Sequence, residues 1–301
     1  MKQSTLISLK TKSALIIAAT LWASAFAGIR AGLQGYSPGG LALLRFLIAS
    51  LCMAIVYFRL PNKQPMPIKD KILLMLIGVV GLGCYHLALN YGEISIPSGV
   101  ASFIISQSPV ITMFFAVIFL RESYSLPVLF GMFVSMSGVI LITLSGIQQF
   151  DFQAGVFYVF LAAIFGSSYS VLQKPFLKRY DAIEITTYVI WGGTLLLLLY
   201  LPGLQGEVTH ASAQATLSVI YLGIFPAAIA YVAWSYALKE IPVARAVSFL
   251  YFMPIIATFF GWVWLHEVPT LLSLIGGLIA LLGVWLVNQA YARNELKEAP
   301  V

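Results

Sequence analysis

The chain has 301 residues, of which 60% are hydrophobic and 9% charged, with a formal net charge of +6 at pH 7. A soluble domain holds roughly 45 to 50% apolar and about 25% charged residues, so this balance excludes a water-soluble enzyme and implies an integral membrane protein. The positive excess is scattered over short connections and forms no single patch, which argues against a nucleic-acid partner.

Apolar residues come in runs of about 20, the length a helix rising 1.5 Å per residue needs to cross roughly 30 Å of hydrocarbon. Barrel strands would be half that length and alternate in polarity. Ten spans are predicted: Ser13 to Leu33, Pro38 to Tyr57, Asp70 to Tyr91, Pro97 to Leu120 and Ser125 to Leu144, then Ala154 to Val171, Ile183 to Leu201, Ala213 to Leu238, Val243 to Leu265 and Thr270 to Gln289. The first is too long for a cleaved signal peptide, and its Trp22, Ser24 and Arg30 do not suit one, so it reads as a mature helix. Connections are expected to be short, the longest being Phe58 to Lys69 and the stretch from Pro202 to Ser212.

The stretch from Pro97 to Leu141 recurs as Pro242 to Leu286, 145 residues later and without a gap. Pro97 repeats as Pro242, Pro109 as Pro254, Phe114 and Phe115 as Phe259 and Phe260, Leu120 and Glu122 as Leu265 and Glu267, Gly131 and Gly138 as Gly276 and Gly283. Two prolines, a glutamate and two glycines in register mark an internal duplication. It divides the chain into repeats at 13–146 and 153–290, with tails at 1–12 and 291–301. Five spans per repeat is an odd number, so the second copy enters the membrane from the opposite side. The fold class is therefore all-α, with ten transmembrane helices arranged as two inverted five-helix repeats. With a cytoplasmic amino terminus, fifteen of the 17 Lys and Arg residues fall in inside segments, and Arg30 and Arg45 alone lie towards the outside. The positive-inside rule then predicts both termini in the cytoplasm.

The run LWASAFAGIRAGL, the RFLIASL of span two, SPV with ILITLSG in spans four and five, and LHE with GGLIALLGVWLV near the end resemble the EamA family of the drug/metabolite transporter superfamily. The resemblance covers Ser13 to Gln289 and implies an exporter of amino acids or other small metabolites in the inner membrane. Since the family carries an arginine at the position of Arg45, it also implies a gating or helix-connecting role for that residue.

Polar groups inside spans are the candidates for substrate contact, because a polar side chain in hydrocarbon needs a partner or water. Span four carries Ser98, Ser102 and Ser106 on one face, with Gln107 before Pro109. The serines suit interhelical contacts and cavity lining equally. Span three carries Tyr85, His86 and Asn90. Span one offers Trp22, Ser24 and Phe26, and span six offers Phe165, Ser167 and Tyr169 at an offset of 143; span eight adds Tyr231, Trp234 and Tyr236, and span nine adds Ser248, Tyr251 and Phe252. The expected substrate contacts are Trp22, Ser24, Tyr85, His86, Asn90, Ser102, Ser106, Gln107, Tyr169, Trp234, Ser248 and Tyr251, with Arg45, Pro109 and Pro254 in gating or structural roles. Pro109 and Pro254 should interrupt spans four and nine equivalently. The glycine-bearing spans five and ten should stay at the periphery. If transport is proton-coupled, His86 is the expected coupling site, as the one side chain within a span that ordinarily titrates near neutral pH.

All eleven Asp and Glu lie in loops or at helix ends, so the mid-span carboxylate on which the small multidrug relatives of the superfamily depend is missing. So is a Lys and Arg cluster that would hold phosphate. The predicted function is alternating-access export of a small neutral or zwitterionic substrate, amino acids first. Other small neutral or drug-like compounds are the alternative, with a channel or an intramembrane enzyme behind. No Walker loop or dinucleotide fingerprint is present, and Cys52 and Cys84 show no metal spacing. No catalytic residue, cofactor or metal is expected. The partners are the substrate and the lipid bilayer, and homo-oligomerisation is compatible with the sequence.

Overall fold

The computed structural model describes residues 7–61, 63–96, 98–122, 124–144, 154–256 and 270–298. Pro97, Phe259, Phe260, Leu265, Glu267 and the boundary between the repeats lie outside the described residues, as do the first residues of the amino-terminal tail and the last of the carboxy-terminal one. The helices of membrane character are α1 (Leu9–Gly32), α2 (Pro38–Arg59), α3 (Ile68–Ser95), α4 (Ala101–Leu120), α5 (Leu126–Leu141), α6 (Ala154–Leu177), α7 (Ala182–His210), α8 (Ala213–Glu240), α9 (Val243–Ile256) and α10 (Leu274–Arg293). Their outer faces carry Leu51, Phe114, Phe130 and Leu278, each more than 60% exposed. In water such a surface would aggregate, whereas against lipid it is the matching solvent.

Local chemistry sets the ends. Ser8, Ser37 and Ser212 accept backbone N–H groups at the starts of α1, α2 and α8, and Asp181 with Glu184 forms a capping box at the start of α7. The Pro202 to Ser212 stretch, expected to be a connection, is instead helix Leu201–His210, continuing α7 through a 3₁₀ turn at Leu198–Tyr200. Pro202 lies in the first turn of that helix, where its missing N–H costs nothing. The carboxy-terminal helix likewise runs on to Glu298, past the expected end of the last span.

Breaks inside the spans obey the 145-residue offset. α3 contains a π turn at Val79–Cys84 and α8 one at Gly223–Ile229. The second is built around Pro226, which cannot donate to the helical ladder. Helix α4 is interrupted at Ser106 and Gln107, just before Pro109, and α9 passes through a 3₁₀ turn at Phe249–Phe252, just before Pro254. Both broken helices thus change course two residues ahead of equivalent prolines.

Reciprocal contacts locate a pseudo-two-fold axis between the repeats. Where α5 meets α10, the Ser135 hydroxyl donates to the Ala280 carbonyl at 3.0 Å, and positions 135 and 280 are themselves equivalent. A Cβ on Gly138 would fall 2.5 Å from the Gly276 carbonyl, and one on Gly131 would fall 3.1 Å from that of Gly283. Each glycine opposes the equivalent of the other, the signature of a two-fold contact. Val128, Met132, Val139, Val284 and Val287 complete a small separate core here. Elsewhere α1 packs on the second half of α8 as α6 packs on the second half of α3.

Polar contacts tie the end of the bundle where α3 and α7 start and α6 and α8 finish. Arg179 pairs with Asp70 at 3.1 Å, and the Tyr180 hydroxyl donates to Asp70 at 2.5 Å. The Lys174 ammonium donates to the carbonyls of Leu238 and Ile241, the latter at 2.6 Å, meeting the negative end of α8.

Candidate functional site

A buried cavity of about 70 Å³ lies between the repeats. The π turns supply its floor plan. In α3 the turn rotates Tyr85 and His86 inward, and Gly81 within it allows close approach, since a Cβ there would lie 2.6 Å from that of Tyr169. In α8 the Pro226 carbonyl, within the turn, accepts the Trp22 indole N–H at 3.1 Å.

At the centre, Nε2 of His86 shares a hydrogen bond of 3.1 Å with the Tyr231 hydroxyl. Positions 86 and 231 are also 145 residues apart. The pseudo-two-fold axis that passes between Ser135 and Ala280 therefore also passes through the cavity. Around this pair stand the rings of Trp22, 5.2 Å from Tyr231 and 5.3 Å from Trp234, and Tyr169, edge-on to Tyr231 at 5.4 Å. The Trp234 indole donates to Ser170 at 3.2 Å. On the charged-end side, Ser235 accepts from Thr186 at 2.9 Å, donates to Gln173 at 3.0 Å and shares a bond with the Tyr169 hydroxyl at 3.1 Å. That layer fixes the ring orientations.

Arg45, 1% exposed, also stands on the wall. Its Nε and Nη1 have no hydrogen-bond partner among the described residues. An orphaned buried donor costs about 1 to 3 kcal/mol, and more when charged. Among the described residues no three His, Cys, Asp or Glu side chains converge to hold a metal.

Residues 10–144 and 153–289 each match the model of the EamA-like transporter family. The chain belongs to that family. Among its relatives are "Uncharacterized transporter YdfC" of Bacillus subtilis (strain 168), 40% identical over 88% of this chain and 86% of that protein, and a "Probable terminal-alkyne amino-acid exporter" of Streptantibioticus cattleyicolor, 37% identical over 92% of each. A solved structure titled "Crystal structure of protein" superposes with a TM-score of 0.75 over 91% of this chain and 98% of its own, at 20% identity, a likeness of fold.

In this EamA-like transporter the cavity wall gathers Trp22, Tyr85, His86, Tyr169 and Trp234 from the sequence-based candidates. The other seven are not on the wall, and among the described residues Oδ1 of Asn90 and the Tyr251 hydroxyl are buried without a hydrogen-bond partner. Ser24 bonds Leu21 and the Tyr221 hydroxyl, and Asn90 donates to the Pro38 carbonyl at 2.9 Å, tying α3 to the start of α2. Ser106 and Gln107 donate back to the carbonyls of Ser102 and Phe103, and Ser248 to that of Arg245. Such back-bonding quiets polar groups where a helix is about to break. Tyr251 is fully buried in the small core with α5 and α10. Arg45, expected in a gating or helix-connecting role, stands on the cavity wall. Pro109 and Pro254 follow the helix breaks and do not line it. Ser108, Thr112 and Ser170 line the wall without having been singled out as contacts; the four-residue step from Ser108 to Thr112 was the available signal. Neither α5 nor α10 contributes a wall residue.

Proposed function

We propose that this protein exports small neutral or zwitterionic metabolites, amino acids first, by alternating access across the bacterial inner membrane, with both termini in the cytoplasm. The observation that carries the reading is the hydrogen bond between His86 and Tyr231 at equivalent positions of the two repeats. A substrate bound there would touch both halves at their common axis, so rocking one repeat against the other would expose it to either side in turn. The aromatic and weakly polar wall suits a compact body with an apolar side chain. The relative named as an amino-acid exporter supports the substrate class. The uneven placement of Lys and Arg supports the orientation.

Counterflow in proteoliposomes tests the mechanism. Trans amino acid should accelerate uptake of labelled amino acid through a carrier, whereas flux that ignores trans substrate would make the protein a channel. A thermal-shift screen of purified protein against the amino acids would identify the substrate, because a ligand of the folded state raises apparent stability by mass action.

A further inference from the structure

We propose that Arg45 is the carboxylate receptor of the cavity, and that the substrate class is small monocarboxylates with an apolar body, for which an amino group is dispensable. The inference rests on the transport reading and extends its substrate class from zwitterions to carboxylate anions.

Position 45 is not required by the fold to be charged. The starts of α2 and α7 are capped by Ser37 and Asp181, 144 residues apart, so its equivalent in the second repeat is Val189, fully buried. Gly78 packs against the backbone of Val189 and Gly193, while its equivalent Gly223 packs against the Arg45 carbonyl and Ile48. The same slot in the same architecture thus takes a valine in one copy and an arginine in the other. A purely structural slot would have no use for a guanidinium.

Nor is the guanidinium consumed inside the protein. Its Nε and Nη1 are buried without a hydrogen-bond partner among the described residues. Glu93 lies within electrostatic range of it and has interactions of its own. The planar fork of an arginine matches a carboxylate with two parallel N–H bonds, a geometry that water or a single carbonyl does not satisfy as well. The remaining wall is apolar or aromatic, with Leu82, Leu89 and Ile105 beside the Trp22, Tyr231 and Trp234 rings. Among the described residues no Asp or Glu stands on it. An ammonium group would find only ring faces and hydroxyls there, so charge recognition falls on the acid end of the ligand.

Three ligands of similar shape separate the ends: L-leucine, 4-methylpentanoate, which lacks the amine, and 3-methylbutylamine, which lacks the acid. Their affinities for the purified full-length protein can be read from its tryptophan fluorescence, since Trp22 and Trp234 wall the cavity. Both acids should bind within about tenfold of each other and the amine about 10- to 100-fold more weakly, the range expected for a charge-assisted hydrogen bond. Arg45→Gln should weaken both acids by a similar factor and leave the amine unchanged, and Arg45→Lys should fall between. An amine that binds wild type as well as the acids, wild type that binds neither acid, or a folded Arg45→Gln that keeps its leucine affinity would each overturn the assignment. If Arg45→Gln does not fold, the wild-type ligand series decides alone. Leucine exchange by wild type together with undiminished leucine binding by Arg45→Gln would sink the anchor and leave the transport reading standing. Acids that bind through Arg45 but are never exchanged would do the reverse.

Discussion

The α5–α10 contact and the central cavity straddle the same pseudo-two-fold axis, and they treat it differently. At the contact the chemistry of the two copies is nearly the same: glycine opposes glycine, and a serine reaches its own equivalent, an alanine. At the cavity the backbone keeps the symmetry, π turn for π turn, while the side chains abandon it. His86 meets Tyr231, and Arg45 stands where the other repeat has Val189. Close packing needs only small residues on both sides and is satisfied by repetition. A bound molecule has no two-fold axis, so a site that orients one must differ between the copies.

The largest way to break the comparison is at the cavity's heaviest ring. Trp234→Ala should cost about 3 to 5 kcal/mol of stability by enlarging the cavity that the ring walls, and should abolish saturable exchange. Unfolding in mild detergent with a parallel exchange assay checks both; a stable, fully active variant would show that the ring is not part of the wall. Gly138→Val acts at the other region. Its Cβ would sit 2.4 Å from the Ala280 backbone nitrogen, so overpacking should cost about 1 to 3 kcal/mol. The affinity of the protein that does fold should be unchanged, because neither α5 nor α10 touches the cavity; altered affinity would mean that the two regions are coupled.

His86→Gln sharpens the comparison by removing an ionisable group and keeping a polar one. Losing a good bond to Tyr231 should cost about 1 kcal/mol. If transport is proton-coupled, the variant should retain substrate exchange and lose its acceleration by an imposed pH gradient. A variant that still concentrates substrate against that gradient as wild type does would place the coupling elsewhere.

The smallest effects are expected far from the axis. The Arg179 side chain is about half exposed, so Arg179→Ala should cost no more than about 1 kcal/mol and leave transport intact. Nearby, the Tyr180 phenol has its pKa raised, first of all by its hydrogen bond to Asp70. Its contribution to stability is therefore present below the unfolded value of about 10 and is lost as pH rises through the higher folded one. Melting curves of wild type and Tyr180→Phe between pH 8 and pH 11 should converge at the alkaline end; curves that stay parallel would exclude this bond as the source.

Much of the architecture was legible in the chain because membrane burial imposes long periods on it. Hydrocarbon thickness fixes the length of an apolar run, and prolines and glycines keep their register through duplication whatever surrounds them. The offset of 145 therefore announced the breaks at Pro109 and Pro254, and the scarcity of polar residues in α5 and α10 announced that they would not wall the cavity, whereas their meeting with each other was not legible. The helical continuation of α7 past Pro202 is not legible in the chain because proline and glycine read as a turn in sequence, while Pro202 in a first helical turn costs nothing.

The site was legible by residue type and illegible by direction. Trp22, Tyr85, His86, Tyr169 and Trp234 were chosen as polar or aromatic groups within spans, and so were Ser24, Asn90, Ser106 and Tyr251, which turn to a neighbouring helix, a backbone carbonyl or a separate core. A one-dimensional pattern specifies that a side chain lies at membrane depth and which face of an ideal helix it occupies. Two π turns, at Val79–Cys84 and Gly223–Ile229, rotate everything after them relative to that ideal. The sequence by itself determined ten spans, two copies and a membrane solvent, since each follows from composition and repetition along the chain. Which side chains face one another across the axis was decided by the tertiary structure alone, because the meeting of His86 with Tyr231 and the missing partner of Arg45 depend on how helices distant in sequence are rotated about their own axes.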